Sequence, residues 1–207
     1  MDLVKVYGCR IVMKIVIDGN IGAGKTTQLG LLESKGWHVH REPIHKWPLK
    51  EFYENQGRWG FLLHMRILQT LCKIPTERHV IYERCIWSSR YVFWDMIKNL
   101  VHPIEADCYE YFFKNSQWSP DVYIYLCKNP EIAHKHIQTR CQDGDESISV
   151  EYLRELDKKY NELLEKVPFK NIYKVDANLS ENEIHEEICK ILLENELFVS
   201  DSYGKEM

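Results

Sequence analysis

The sequence predicts an α/β fold in which one five-stranded parallel sheet carries helices on both faces. Three observations support this. The stretch IVIDGNIGAGKTTQ, Ile15 to Gln28, passes from a β-branched run through a glycine-rich turn into an apolar helical pattern, as a β-loop-α unit does. Four later strand-like runs are each separated from the one before by chain long enough to cross over, mostly with helical spacing, which is what parallel strands require. Finally, 207 residues without internal repeat, low-complexity tract or linker suit a single domain over residues 1–207.

Composition narrows the function classes. With 44% hydrophobic residues, 28% charged residues and a net charge of -4, the chain reads as globular and offers no basic footprint for nucleic acid. Its seven cysteines are scattered and never spaced as CxxC, so reduced thiols in a cytoplasmic setting are expected rather than a disulfide frame or zinc knuckle. Lys5, Arg10 and Lys14 interrupt the apolar N-terminus, and no run reaches the roughly 18–20 apolar residues of a membrane span.

In order along the chain, residues 1–12 read as an extension, with translation starting at Met1 or Met13. Val12 to Asp18 is the first strand, followed by a helix from Thr26 to Ser34 that stops at Gly36. A short strand at Trp37 to Arg41 precedes the Pro43 turn. Helical spacing then covers Pro48 to Asn55 and Trp59 to Cys72, with Phe61, Met65, Leu68 and Cys72 on one stripe. Pro75 breaks the chain before the strand HVIYE. Helices over Ser88 to Leu100 and Pro103 to Lys114 lead to the strand Asp121 to Leu126. A helical lid segment follows: Pro130 to Arg140, the polar loop CQDGDESIS, then Val150 to Glu165. The strand NIYKV and a helix from Ser180 to Glu194 close the domain, leaving a loose tail over residues 200–207.

The residues Gly19, Gly24, Lys25 and Thr26 satisfy GxxxxGK[ST] between a strand and a helix, the context that the P-loop requires. Gly19, Asn20, Ile21, Gly22, Ala23, Gly24, Lys25, Thr26 and Thr27 form a candidate ATP cradle. Its backbone N–H groups converge on phosphate oxygens, and the helix N-terminus adds about half a positive charge. Lys25 would bridge the β- and γ-phosphates, while the Thr26 hydroxyl would ligate Mg²⁺. The loop alone does not choose between motor, switch and phosphotransferase. No Asn-Lys-x-Asp signal for guanine is present, and the acidic candidate after the third strand is Glu83, followed by Arg84. Glu42, next to Pro43, falls on the same rim of the sheet as a candidate general base.

Taken together, IDGNIGAGKTT, REPIHKW, ERCIWSSRYVF, SPDVYIYL and SVEYLRELDKKYNELL resemble the deoxynucleoside kinases, in order from Met13 to Ala177. The resemblance implies a P-loop NTPase fold and transfer of the γ-phosphate of ATP to the 5′-hydroxyl of a deoxynucleoside, with Mg²⁺. It implies Glu42 as catalytic base, Arg84 beside the 5′-oxygen, Glu83 as a metal-linked carboxylate and Trp47 beside the nucleoside. Tyr53 and Asp145 match residues that bind the sugar, and Arg140 matches a lid arginine that closes over the phosphates. The family's habit also implies a homodimer through helices such as Trp59 to Cys72 and Ser88 to Leu100.

The chain departs from the family pattern at three places. Cys85 replaces a serine, and Gln142 stands where a second lid arginine is usual, leaving Lys135 or Arg154 to compensate. His64 occupies the position of a base-reading glutamine. A neutral imidazole cannot copy an amide fork, and a mismatched edge in a closed site costs about 1–3 kcal/mol. In a shifted helix, Gln69 would read the base instead. The nearest rival is thymidylate kinase, which shares GAGKTTQ and Arg-Glu-Pro but normally has glycines after Glu-Pro and an Asp-Arg pair where this chain has Glu83-Arg84. A non-catalytic nucleotide-binding protein is the third reading.

Overall fold

The computed structural model describes residues 13–72, 80–140 and 145–203. The proposed extension 1–12, Pro75, His79 and Gln142 lie outside them. Among the described residues five strands form one sheet: β1 (Lys14–Gly19), β2 (His38–His40), β3 (Val80–Glu83), β4 (Val122–Cys127) and β5 (Ile172–Asp176). Their order is β2-β3-β1-β4-β5, and every neighbouring pair is parallel. This is the predicted α/β sheet with β1 at its centre.

The helices form where caps and apolar stripes agree. Helix α1 (Lys25–Ser34) starts at Gly24 in the left-handed region and ends in a Schellman turn, in which Trp37 N donates to the Leu32 carbonyl and Gly36 N to the Glu33 carbonyl. Helix α2 (Leu49–Glu54) is followed directly by α3 (Gln56–Leu71), which begins earlier than predicted because Asn55 caps it, accepting from Arg58 N at 2.9 Å. The buried stripe of α3 is Gly60, Leu63, His64, Ile67, Leu68 and Leu71, whereas Phe61, Met65 and Cys72 sit at its edge. The buried stripe is rotated from the predicted one, sharing Leu68 and running through Leu63, His64 and Ile67.

The predicted Ser88 to Leu100 helix is instead α4 (Ile86–Ser88), a π-helical turn (Ser89–Trp94), α5 (Asp95–Ile97) and a 3-10 turn (Lys98–Leu100). The widened turn accompanies two tertiary anchors: Trp94 stacks on Tyr109 at 4.0 Å, and Arg90 pairs with Glu110 at 2.6 Å. Helix α6 (Pro103–Asn115) carries a capping box formed by His102 and Glu105. After β4 come α7 (Pro130–Arg140) and α8 (Val150–Lys166), the latter capped by Ser149. Helix α9 (Glu181–Tyr203) runs past the predicted end at Glu194 and through the start of the expected loose tail. No glycine or proline intervenes before Gly204, so nothing local stops it.

Side chains alternate across the sheet. One face packs Ile15, Ile17, Ile81, Val122, Ile124 and Leu126 against α1 and α9. The other packs Val16, Tyr82, Tyr123 and Tyr125 under α3, α6 and α8. The carboxyl ends of β1, β2 and β3 therefore open onto one rim between the two layers, where ligands of such sheets bind.

Candidate active site

Three strand ends meet at this rim. β1 delivers Asp18 and Gly19, β2 leads to Glu42, and β3 ends on Glu83 and Arg84. Between β1 and α1 the loop turns through left-handed glycines. At Gly22 (φ 76) a Cβ would lie 2.7 Å from the Ala133 carbonyl oxygen, so both conformation and space require glycine. At Gly24 (φ 94) the surroundings are open and conformation alone decides. Ala23 is buried beneath the loop, Ile21 is half-buried, and Thr26 and Thr27 are exposed on the first turn of α1.

Lys25 is buried, and its Nζ donates to the Gly19 carbonyl at 3.0 Å and the Asn20 carbonyl at 2.8 Å. Burial, helped by the Arg84 charge, pulls its pKa down to about 8. Asn20 Nδ2 donates to the Leu153 carbonyl at 2.8 Å, hooking the loop onto α8. Arg84 Nη1 lies 2.5 Å from Glu42 Oε2, and both side chains are nearly buried. Burial raises the Glu42 pKa above the ordinary glutamate range, and Glu83 adds to this while Arg84 opposes it. Burial disfavours the Arg84 cation, but Glu42, Tyr160 and Asp18 outweigh that and hold its pKa well above the usual value.

Glu83 accepts from Thr26 Oγ1 at 3.5 Å and from Glu42 N at 3.3 Å. A hydroxyl and a carboxylate at this rim fit Mg²⁺, which takes oxygen ligands and keeps most of its shell as water and phosphate. Arg140 and Asp145 face each other in a forked pair at 2.7 and 3.1 Å. The Tyr53 phenol is raised by burial and by the nearby Asp145 charge, and it also feels Arg84 and Arg140. Trp47 Nε1 donates to Thr70 Oγ1 on α3 at 3.2 Å. Arg154 is paired with Glu131 at 2.7 Å, and Lys135 is exposed.

His64 is buried against Phe52, Trp94 and Tyr109, and its Nδ1 has no hydrogen-bond partner among the described residues. Burial pulls its pKa down to about 3, so the ring is neutral. Gln69 is exposed and accepts from Arg66 at 2.8 Å; α3 thus turns His64 inward and Gln69 outward.

A P-loop facing a buried carboxylate-arginine pair is the arrangement of a phosphotransferase, and the comparisons with known proteins specify which. The family model for deoxynucleoside kinase matches residues 15–199. The chain belongs to the deoxynucleoside kinase family. It is 31% identical to a putative kinase, protein 029R, of Invertebrate iridescent virus 3, over 81% of this chain and 90% of that one. It is 29% identical to mitochondrial thymidine kinase 2 of Homo sapiens, covering 72% of this chain and 63% of the human one. Among solved structures, the deoxyadenosine kinase of M. mycoides with products dCMP and dCDP superposes with a TM-score of 0.78 at 26% identity, covering 88% of this chain and all of that one. The deoxynucleoside kinase chain therefore phosphorylates nucleosides, and this reading holds over the monophosphate-kinase and non-catalytic alternatives.

The rim joins Thr26, Glu83, Glu42 and Arg84 by direct contacts, links Lys25 to Arg84 through the shared Gly19 carbonyl, and gathers Tyr53, Arg140 and Asp145 beside them. Sequence reasoning missed Asp18 and Tyr160, which bond to each other at 2.8 Å behind Arg84. The available signal was an aspartate inside an otherwise apolar strand, a residue that must find partners if it is buried.

Proposed function

We propose that this chain moves the γ-phosphate of ATP to the 5′-hydroxyl of a deoxyribonucleoside, with Glu42 as the general base. The observation that carries the proposal is the Glu42–Arg84 pair, 2.5 Å apart and nearly buried, at the mouth of a P-loop. Glu42 accepts the hydroxyl proton as the 5′-oxygen attacks the γ-phosphorus. The bond to the β–γ bridging oxygen breaks, and ADP leaves. Lys25 and Arg84 offset charge on the phosphoryl oxygens. Mg²⁺, held through Thr26 and Glu83, would neutralise phosphate charge in the same place. The solved relatives bind deoxynucleotides, dCTP and dATP among them, which supports a deoxyribose acceptor.

Tyr53 and Asp145 hold the sugar in this reading, Trp47 lines the nucleoside, and Arg140 passes from Asp145 towards the transferring phosphate. His64 forms the wall at the base edge, so base preference is this chain's own. Leu62 on α3, and Ile104, Tyr111 and Phe112 on α6, are exposed apolar side chains, and they support a homodimer across α3 and α6. Sedimentation at twice the chain mass would bear out the dimer, and a monomer at micromolar concentration would refute it.

The deciding experiment supplies ATP and Mg²⁺ with each deoxynucleoside and, separately, with thymidine monophosphate. Turnover of nucleosides is expected. Turnover of the monophosphate alone would overturn the proposal.

A further inference from the structure

Arg84 is the only non-glycine residue with positive φ among the described residues, at 59°. For such a residue the left-handed region costs about 1–2 kcal/mol, so its surroundings hold it there. Arg84 N donates to the Ile17 carbonyl at 3.1 Å, hooking the end of β3 onto β1. The guanidinium is gripped on every side. Nη1 meets Glu42, Nη2 donates to the Gly19 carbonyl at 3.3 Å, and Cζ lies 4.8 Å over the Phe93 ring. Nε donates to the Tyr160 hydroxyl at 3.2 Å.

That last bond extends into a buried chain. Tyr160 Oη donates to Asp18 Oδ1 at 2.8 Å, and Asp18 Oδ2 accepts from Tyr123 Oη at 2.9 Å. Because the Tyr160 proton is committed to Asp18, the hydroxyl turns a lone pair towards Arg84. Asp18 is fully buried, and Arg84 Nε lies 3.6 Å from its Oδ1. An aspartate so placed needs a cation or several donors, and it has both. Neither Asp18 nor Tyr160 bonds to Glu42; both reach it through Arg84.

We propose that Asp18 and Tyr160 are positioning residues for phosphoryl transfer, holding Arg84 in its left-handed conformation with its guanidinium turned to Glu42. This rests on the roles given above to Glu42 and Arg84. Asp18 and Tyr160 hold the inner edge of the guanidinium at Nε, which leaves Nη1 turned to Glu42. Tyr160 also stands on α8, so the same hydroxyl ties Arg84 to the helix that follows Asp145.

The test uses three variants of the whole chain, assayed with ATP, Mg²⁺ and its best deoxynucleoside. Tyr160→Phe keeps the ring and removes the link. It should lower kcat roughly 10- to 100-fold, with both KM values within about threefold. Asp18→Asn keeps the size of the side chain and removes the charge. It should lower kcat by a similar factor, again with both KM values within about threefold. Tyr125→Phe is the control. It loses a bond to Asp157 but keeps the ring that packs on Tyr160 at 5.2 Å, and should leave kcat in place.

A folded Tyr160→Phe or a folded Asp18→Asn with unchanged kcat, or with a loss carried by KM alone, overturns the inference. So does failure of both to fold when Tyr125→Phe folds, which would assign the network to the fold. If Glu42→Gln retains full turnover, the proposed function itself fails; loss in Glu42→Gln without loss in Tyr160→Phe sinks only the positioning role.

Discussion

On the face beneath α1 and α9 the sheet presents isoleucine, valine and leucine, whereas on the face beneath α3, α6 and α8 it presents tyrosines whose hydroxyls lead to charged groups. Both faces are equally buried, yet they do different work. Aliphatic side chains only fill space, so the first face anchors α1 and with it the P-loop. The tyrosine face buries apolar rings and also carries hydroxyls inward, which lets Asp18 sit inside the protein and act on Arg84. Stability should respond to changes on either face, but chemistry should respond mainly to changes on the second and at the rim.

The sharpest break in that symmetry should come at the rim. Glu42→Gln should lower kcat by about 10²–10⁴ while ATP affinity, measured by calorimetry, stays within twofold. In the unaltered chain kcat/KM should follow a bell. The acid limb lies above the ordinary glutamate range, since Glu42 must be deprotonated and burial raises its pKa. The alkaline limb lies near pH 8, where Lys25 loses its proton. In Glu42→Gln the acid limb should disappear.

On the aliphatic face, Ile124→Ala should cost about 2–5 kcal/mol of stability by leaving a cavity between α1, α9 and β4. Its kcat, measured on folded protein, should stay within twofold. A large loss of kcat there would erase the contrast between the faces.

A smaller effect separates His64 from its neighbours. Its folded pKa of about 3 lies below the ordinary imidazole value of 6.5. Between those values the unfolded chain takes up the proton and the folded chain does not, so stability falls as pH drops below 6.5. The linkage amounts to roughly 2 kcal/mol at pH 5. Melting temperatures at pH 7 and pH 5 should therefore differ less in His64→Gln than in the unaltered chain. The same variant should reorder preference among bases more than it lowers the overall rate; an unchanged order would mean that His64 only packs.

The parts of the fold carried by local pattern were legible in the sequence. β1, the P-loop and α1 follow from alternation and glycine spacing, and α7 from Pro130 to Arg140 agrees at both ends. The segment after Cys85 was not, because its π-helical turn accompanies Trp94 on Tyr109 and Arg90 on Glu110, contacts made with a different helix. The candidate rim could be found from Glu42, Glu83 and Arg84 because strand ends gather on one edge. The positive φ of Arg84 and its support could not. Asp18 and Tyr160 are 142 residues apart, and no spacing rule connects them.

The central place of β1 also has a consequence in time. Ile15 is paired with Ile81 on one side and with Val122 on the other. At a synthesis rate of about 5–20 residues per second, its second neighbour emerges roughly 5–20 s after it does. The strand that carries the P-loop is thus the first of the five to be made and among the last to be enclosed. Until β4 arrives, its apolar run presents an open edge that a growing chain must keep from pairing elsewhere.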